Sequence, residues 1–136
     1  MNKKEKIILE SVNIQPLIDM EITMTNSFKK FESEEITELE EMGIIKAFEI
    51  SYELAWKTLK KILEIQGTEA LSPREVFRSS AQFGYLEDPQ VWFDFGKERN
   101  MTAHVYDGDT FQNILNFIPK FLAEFRKLII NLGKIK

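Results

Sequence analysis

Apolar residues recur along this chain every three or four positions, and no stretch keeps the strict alternation of a half-buried strand. Leu17, Met20, Met24, Phe28 and Phe31 form the first stripe, with Pro16 suited to a first helical turn, where its missing N–H costs nothing. Residues 1–15 predict either a short helix or a loose N-terminal arm. The longest stripe, Ile45, Phe48, Tyr52, Ala55, Leu59 and Ile62, predicts a helix from Glu38 to Gln66, capped by Thr37 with Glu40 and closed by Gly67. Ile44, Ile50, Leu54 and Leu63 widen its apolar arc, which calls for more than one neighbouring helix.

Ser72-Pro73-Arg74-Glu75 is a helix start, with Ser as cap, Pro in the first position and Glu three residues after the cap; the short helix it opens stops at Gly84. Asp88-Pro89 repeats the signal before Val91, Trp92 and Phe95. Asp107-Gly108-Asp109 reads as a turn, with Asp109 capping a last helix striped by Phe111, Ile114, Leu115, Ile118, Phe121, Leu122, Phe125, Leu128 and Ile129. Pro119 inside that stripe predicts a kink near Leu115. The pattern as a whole predicts one all-α domain over residues 1–136. Its form is an antiparallel four-helix up-and-down bundle with a short extra helix.

Composition narrows the chemistry. The 136 residues contain no cysteine and one histidine, so thiol catalysis and disulfides are excluded, and a multi-histidine metal centre would need several subunits. The N-terminus starts basic without an apolar core for a signal peptide, and no apolar run reaches membrane-spanning length; a cytoplasmic address away from membranes is the expectation. A net charge of −4 argues against a broad electrostatic grip on nucleic acid, so any RNA or nucleotide contact has to be a local basic pocket. Residues 32–41 carry six glutamates, whose spacing suits a solvated linker and a helix start better than a cation site.

The candidate chemistry lies in Arg99-Asn100-Met101-Thr102-Ala103-His104-Val105-Tyr106-Asp107. Histidine moves protons near neutral pH, and arginine keeps its charge and suits a phosphate or a developing phosphorane. Metal-independent RNA cleavage asks for both: a base for the 2′-hydroxyl and a cation for the pentacoordinate transition state. Asn100 and Tyr106 could position a substrate, and Asp107 could orient the imidazole. Five residues on an ideal helix turn through roughly 500°, which leaves Arg99 and His104 about 140° apart. Either the helix ends near Thr102 or Ala103, or the two groups meet across a two-fold axis in a homodimer. The ordinary alternative is a His that caps carbonyls and an Arg that pairs with a carboxylate such as Glu98. Glu49, Glu53, Trp56, Lys57 and Lys60 lie one turn apart in pairs; they read as ion pairs around a half-buried Trp or as one wall of a substrate-binding cleft. Arg74 and Arg78 share a face, as plain surface residues or as a phosphate grip.

These residues also carry a resemblance. Arg99-Asn100-x-Thr102-x-His104-x-Tyr106-Asp107 resembles the Arg-x4-His-x-Tyr signature of HEPN domains. With Phe48-Glu49, with Glu53-Leu54-Ala55-Trp56-Lys57-Thr58-Leu59-Lys60 and with Ser72-Pro73-Arg74-Glu75-Val76-Phe77-Arg78, the chain looks like their bacterial and archaeal branch, the nucleotidyltransferase substrate-binding proteins, over about residues 17 to 132. The resemblance implies a helical dimer whose two motifs face a shared cleft. It implies as partner a minimal nucleotidyltransferase encoded nearby, which supplies any metal and nucleoside triphosphate, leaving this chain without a cofactor of its own. It implies one of two roles. The first is a subunit that binds nucleotide or substrate for the transferase. The second is a metal-independent ribonuclease toxin with Arg99 and His104 as catalytic pair and Asn100 in support, silenced when the antitoxin transferase adds AMP to Tyr106.

Overall fold

The computed structural model describes residues 2–135. These form six α-helices and one 3-10 turn: α1 Lys3–Ser11, α2 Gln15–Ser33, α3 Glu38–Ile65, α4 Pro73–Gln82, α5 Pro89–Met101, the turn Thr102–His104, and α6 Gly108–Ile135. The all-α expectation holds, with six helices where the periodicity predicted five. The extra one is α1, the helical of the two forms left open before Pro16. It packs on α3 and α6 and buries Ile8, with Val12 buried just past its end.

Helix limits follow local chemistry. Thr37 Oγ1 accepts the Glu40 N–H at 3.1 Å while the Glu40 carboxylate accepts the Thr37 N–H at 3.1 Å, a complete capping box at the start of α3. Ser72 Oγ accepts the Glu75 N–H at 3.2 Å to open α4, and Asp88 accepts the Gln90 N–H at 2.9 Å to open α5. Gly67 and Gly84 terminate α3 and α4 with φ of +83° and +81°, values that a Cβ would penalise. One cap differs from expectation. Asp107, not Asp109, starts α6: its carboxylate accepts the Asp109 N–H at 3.2 Å, and its carbonyl accepts the Phe111 N–H at 3.1 Å. The turn is tighter than the pattern suggested, because only Val105 and Tyr106 separate Asp107 from the 3-10 turn. Pro119 lies inside α6, which continues through it as one helix.

Helix α3 is the axis of the fold, in contact with α1, α2, α4, α5 and α6, as its wide apolar arc required. The core is strongly aromatic. Phe121 of α6 meets the rings of Phe48, Trp92, Phe95 and Phe125 at centroid distances of 4.9–5.9 Å, and Phe77 of α4 stacks on Trp92 at 5.2 Å. Phe77, Trp92, Phe95 and Phe121 are all essentially inaccessible to solvent. Edge-to-face rings of this kind add about 0.5–1.5 kcal/mol per pair beyond area burial. The cluster pins α5 between α4 and α6 and so fixes where the last turn of α5, with Arg99, arrives.

Candidate functional site

Helix α5 ends at Met101 because Thr102 turns inward. Its Oγ1 donates to the Arg99 carbonyl at 2.6 Å, and the backbone tightens into the 3-10 turn. Helix α5 thus ends between Arg99 and His104, but among the described residues no hydrogen bond, ion pair or ring contact joins the two side chains. The motif therefore has two halves in different settings.

Arg99 is drawn toward α3. Its Nε lies 3.5 Å from Glu53 Oε1, and Nη1 donates to Thr102 Oγ1 at 3.2 Å. Nε is buried and makes no hydrogen bond of good geometry, so the Glu53 contact is an electrostatic tether rather than a closed fork. The partner carboxylate is thus Glu53 and not Glu98. Glu98 is half-buried, and desolvation, with the Asp94 charge, pushes its carboxyl above the ordinary range. Glu53 is a hub: Oε2 accepts the Trp56 indole N–H at 2.9 Å and lies 3.9 Å from Lys57 Nζ. The wall of α3 anticipated as substrate-binding is thereby knitted to itself and to Arg99. Glu49 backs it from the next turn. Burial pushes the Glu49 carboxyl up, but the nearby Thr102 hydroxyl, the Lys46 ammonium 3.2 Å away and the Arg99 charge together outweigh it and hold the group below its usual range.

His104 and Tyr106 sit on the other side of the break, both exposed. Tyr106 is 84% accessible, and its hydroxyl lies 3.4 Å from His104 Nδ1 with the rings edge to face. Asn100 is exposed on the last turn of α5. Asp107, close to both rings in sequence, commits a carboxylate oxygen to capping α6, and its N–H donates to the His104 carbonyl at 3.0 Å. The imidazole partner is thus the tyrosine hydroxyl.

Arg74 and Arg78 of α4 flank one ring of α5, with guanidinium carbons 4.2 Å and 5.8 Å from the centre of Phe93. Arg74 and Arg99 line the same cavity of about 380 Å³ with Tyr52, Glu53, Phe93 and Lys97, whereas Arg78 lies outside it. Three residues that shape the site escaped the sequence reading: Lys97, Phe93 and Gly96. Gly96 had a visible signal, as an isolated glycine within a helical pattern. A Cβ there would lie 2.8 Å from Tyr52 Oη, so glycine is what lets α5 settle on α3. Among the described residues no group of three or more His, Asp or Glu side chains is placed to hold a metal ion. No described helix is long and apolar enough to cross a membrane.

Comparison with known proteins bears on the fold and the family. A Haemophilus influenzae protein whose solved structure is described as the fold of a substrate-binding domain of a nucleotidyltransferase superposes with a TM-score of 0.81, at 23% identity, covering 89% of this chain and 99% of that one. A solved protein from Thermus thermophilus superposes with a TM-score of 0.75, also at 23% identity, covering 85% of this chain and 98% of that one. In sequence, a probable ribonuclease HepT from Haemophilus influenzae is 30% identical over 87 residues, spanning 60% of this chain and 60% of the relative. Residues 13–134 match the family model described as nucleotidyltransferase substrate binding protein like, a span that takes in α2 to α5, nearly all of α6 and every residue of the Arg99–Asp107 segment. By that match the chain belongs to the nucleotidyltransferase substrate-binding protein family, a HEPN-type family.

Proposed function

We propose that this protein is the helical partner of a minimal nucleotidyltransferase, acting in the cytoplasm as the subunit that presents nucleotide or substrate to it. In this reading α2, α3, α5 and α6 form a four-helix up-and-down bundle that dimerises with its motif segments facing one cleft. The observation that carries it is Tyr106, an aromatic hydroxyl 84% open to an incoming enzyme yet in contact with a potential base at 3.4 Å. In AMP transfer the Tyr106 oxygen attacks the α-phosphorus of a nucleoside triphosphate. The α–β phosphoanhydride bond breaks, pyrophosphate leaves, and the phenol proton passes to the neutral imidazole of His104. Exposed apolar groups supply a reason to dimerise there: Leu39 is 77% and Met42 45% accessible, and Met42, Val105, Tyr106 and Phe111 line one hollow beside the turn. Co-expression with a nucleotidyltransferase encoded next to this chain should add the mass of AMP to the intact protein, and Tyr106→Phe should lack it. Addition that survives Tyr106→Phe overturns the assignment.

A second reading, compatible with the first, is favoured by the pairing of a tethered cation with an exposed imidazole: a metal-independent ribonuclease toxin, as the name of the curated relative suggests for that protein. His104 takes the proton of an RNA 2′-hydroxyl, the 2′-oxygen attacks the adjacent phosphorus, and the 5′-oxygen leaves with a proton from solvent, giving a 2′,3′-cyclic phosphate and a 5′-hydroxyl. Arg99 faces the charge gathering on the phosphorane oxygens, with Asn100 in support. AMP on Tyr106 would place a phosphodiester against the imidazole and remove the hydroxyl that now contacts it, which is an antitoxin's chemistry. Expression of the wild-type chain alone should degrade RNA and arrest growth; intact RNA with a folded, unmodified protein rejects this reading and leaves the first.

A further inference from the structure

The cavity between α3, α4 and α5 carries an imbalance that the motif alone does not explain. Arg74, Lys97 and Arg99 line it against a single carboxylate, Glu53, in a protein of net charge −4. Glu53 is already divided among Arg99, Trp56 and Lys57. Neither Arg74 nor Lys97 has an ion-pair partner among the described residues. Arg74 is instead braced on the face of Phe93 at 4.2 Å, an interaction that fixes the guanidinium without neutralising it. Gly96 keeps the floor open, since a Cβ would crowd Tyr52 Oη at 2.8 Å. At about 380 Å³ the cavity falls within the range of small-molecule sites, and its walls mix aromatic surface with donors.

We infer that this cavity is a second phosphate site, which holds the phosphate of a nucleotide adjoining the bond addressed by Arg99 and His104. Arg74 and Lys97 grip that phosphate, and Arg99, on the shared wall, links it to the motif. The polar groups of Asn100 and Glu53 face the sugar and base. Its role as a neighbour to a cleaved bond rests on the ribonuclease reading; the phosphate site does not. The cavity would set the register of a strand across the motif, a need that a protein without a broad basic surface has to meet locally.

The test separates the two. A fluorescent 2′-O-methyl oligonucleotide, which lacks the attacking hydroxyl, is titrated into the full chain by anisotropy, and AMP is titrated by calorimetry. Both are repeated with Arg74→Gln, Lys97→Gln and the distant Lys127→Gln, after thermal melts show that each variant folds. Arg74→Gln and Lys97→Gln should each weaken the oligonucleotide about tenfold and flatten the slope of log K against log salt by about 0.7, the signature of one lost phosphate contact on a single strand; Lys127→Gln should match wild type. Losses seen with AMP, with no preference for the oligonucleotide, support the phosphate site with a free nucleotide as its source. Binding of both probes unchanged in Arg74→Gln and Lys97→Gln, or absent from wild type, overturns the site. Arg74- and Lys97-dependent binding without cleavage of native RNA would reject the ribonuclease reading and leave the site standing.

Discussion

The two halves of the Arg99–Asp107 segment are close in sequence and opposite in character. Arg99 is held from three directions, by Glu53, by Thr102 and by the packing of α5 on the aromatic core. His104 and Tyr106 project from the short turn after α5 with each other as their shared side-chain contact. A charge that must meet a phosphate in one geometry gains from being tethered, because ordering an arginine during the reaction costs side-chain entropy. A proton carrier and a modifiable hydroxyl gain from access. In the proposed function, the helix break at Thr102 serves both needs within one short stretch.

That contrast can be broken by substitution. In the ribonuclease reading Arg99→Ala and His104→Ala both reduce RNA cleavage by about 100-fold or more. They should part company in stability. Arg99→Ala removes a half-buried pair and a bond to buried Thr102, costing about 1 kcal/mol, whereas His104→Ala stays within about 0.5 kcal/mol in urea unfolding. Equal stability losses would mean that Arg99 is not tethered as described.

Glu53→Gln sharpens the comparison from the other side. It keeps a hydrogen-bond acceptor for Trp56 but removes the charge facing Arg99, so in the ribonuclease reading cleavage should fall by about tenfold with the imidazole untouched. A pH–rate profile that keeps the wild-type limbs while dropping in height identifies Glu53 as a positioning residue. A displaced limb would show that it acts on the proton carrier instead.

Packing behind the tethered half gives the next effect. Gly96→Ala brings a Cβ to 2.8 Å from Tyr52 Oη and should destabilise the fold by about 1–3 kcal/mol. Tyr52→Phe should restore much of it in the double variant, because the next atom, the ring carbon bearing the hydroxyl, stands at an ordinary 3.6 Å. Independent, additive costs in thermal melts would contradict this contact.

The smallest effect is on alkaline stability. Burial of Tyr52, with the Glu53 charge, pushes its phenol from 10.0 to about 12. Between those values the unfolded chain releases the Tyr52 proton before the folded one does, so folding is progressively weakened from pH 10 toward 12, by on the order of 3 kcal/mol at most. Tyr52→Phe should show a shallower decline across that window than wild type, and parallel slopes would mean the hydroxyl is not held neutral.

Much of this was legible in the residues themselves. Helix limits announced themselves through Thr37–Glu40, Ser72-Pro73, Asp88-Pro89, Gly67 and Gly84, because capping and left-handed turns are local effects that need no knowledge of the rest of the fold. The apolar arc of α3 foretold several neighbours, and the angular argument limited Arg99 and His104 to two arrangements. What local pattern could not say is which carboxylate takes Arg99, since Glu98 is nearer along the chain and Glu53 is nearer in space.

The sequence by itself determined the helices, the apolar faces that must be buried, and the short segment that carries a cation, an imidazole and a phenol. Only the tertiary structure decided that Thr102 breaks the helix between them, that Glu53 claims Arg99, and that Arg74 and Lys97 open onto the same cavity as Arg99 while Arg78 does not. The reason is physical. Capping and periodicity are set by neighbours within about one helical turn, whereas charge pairing and cavities are set by where α3, α4 and α5 meet, some tens of residues apart in sequence.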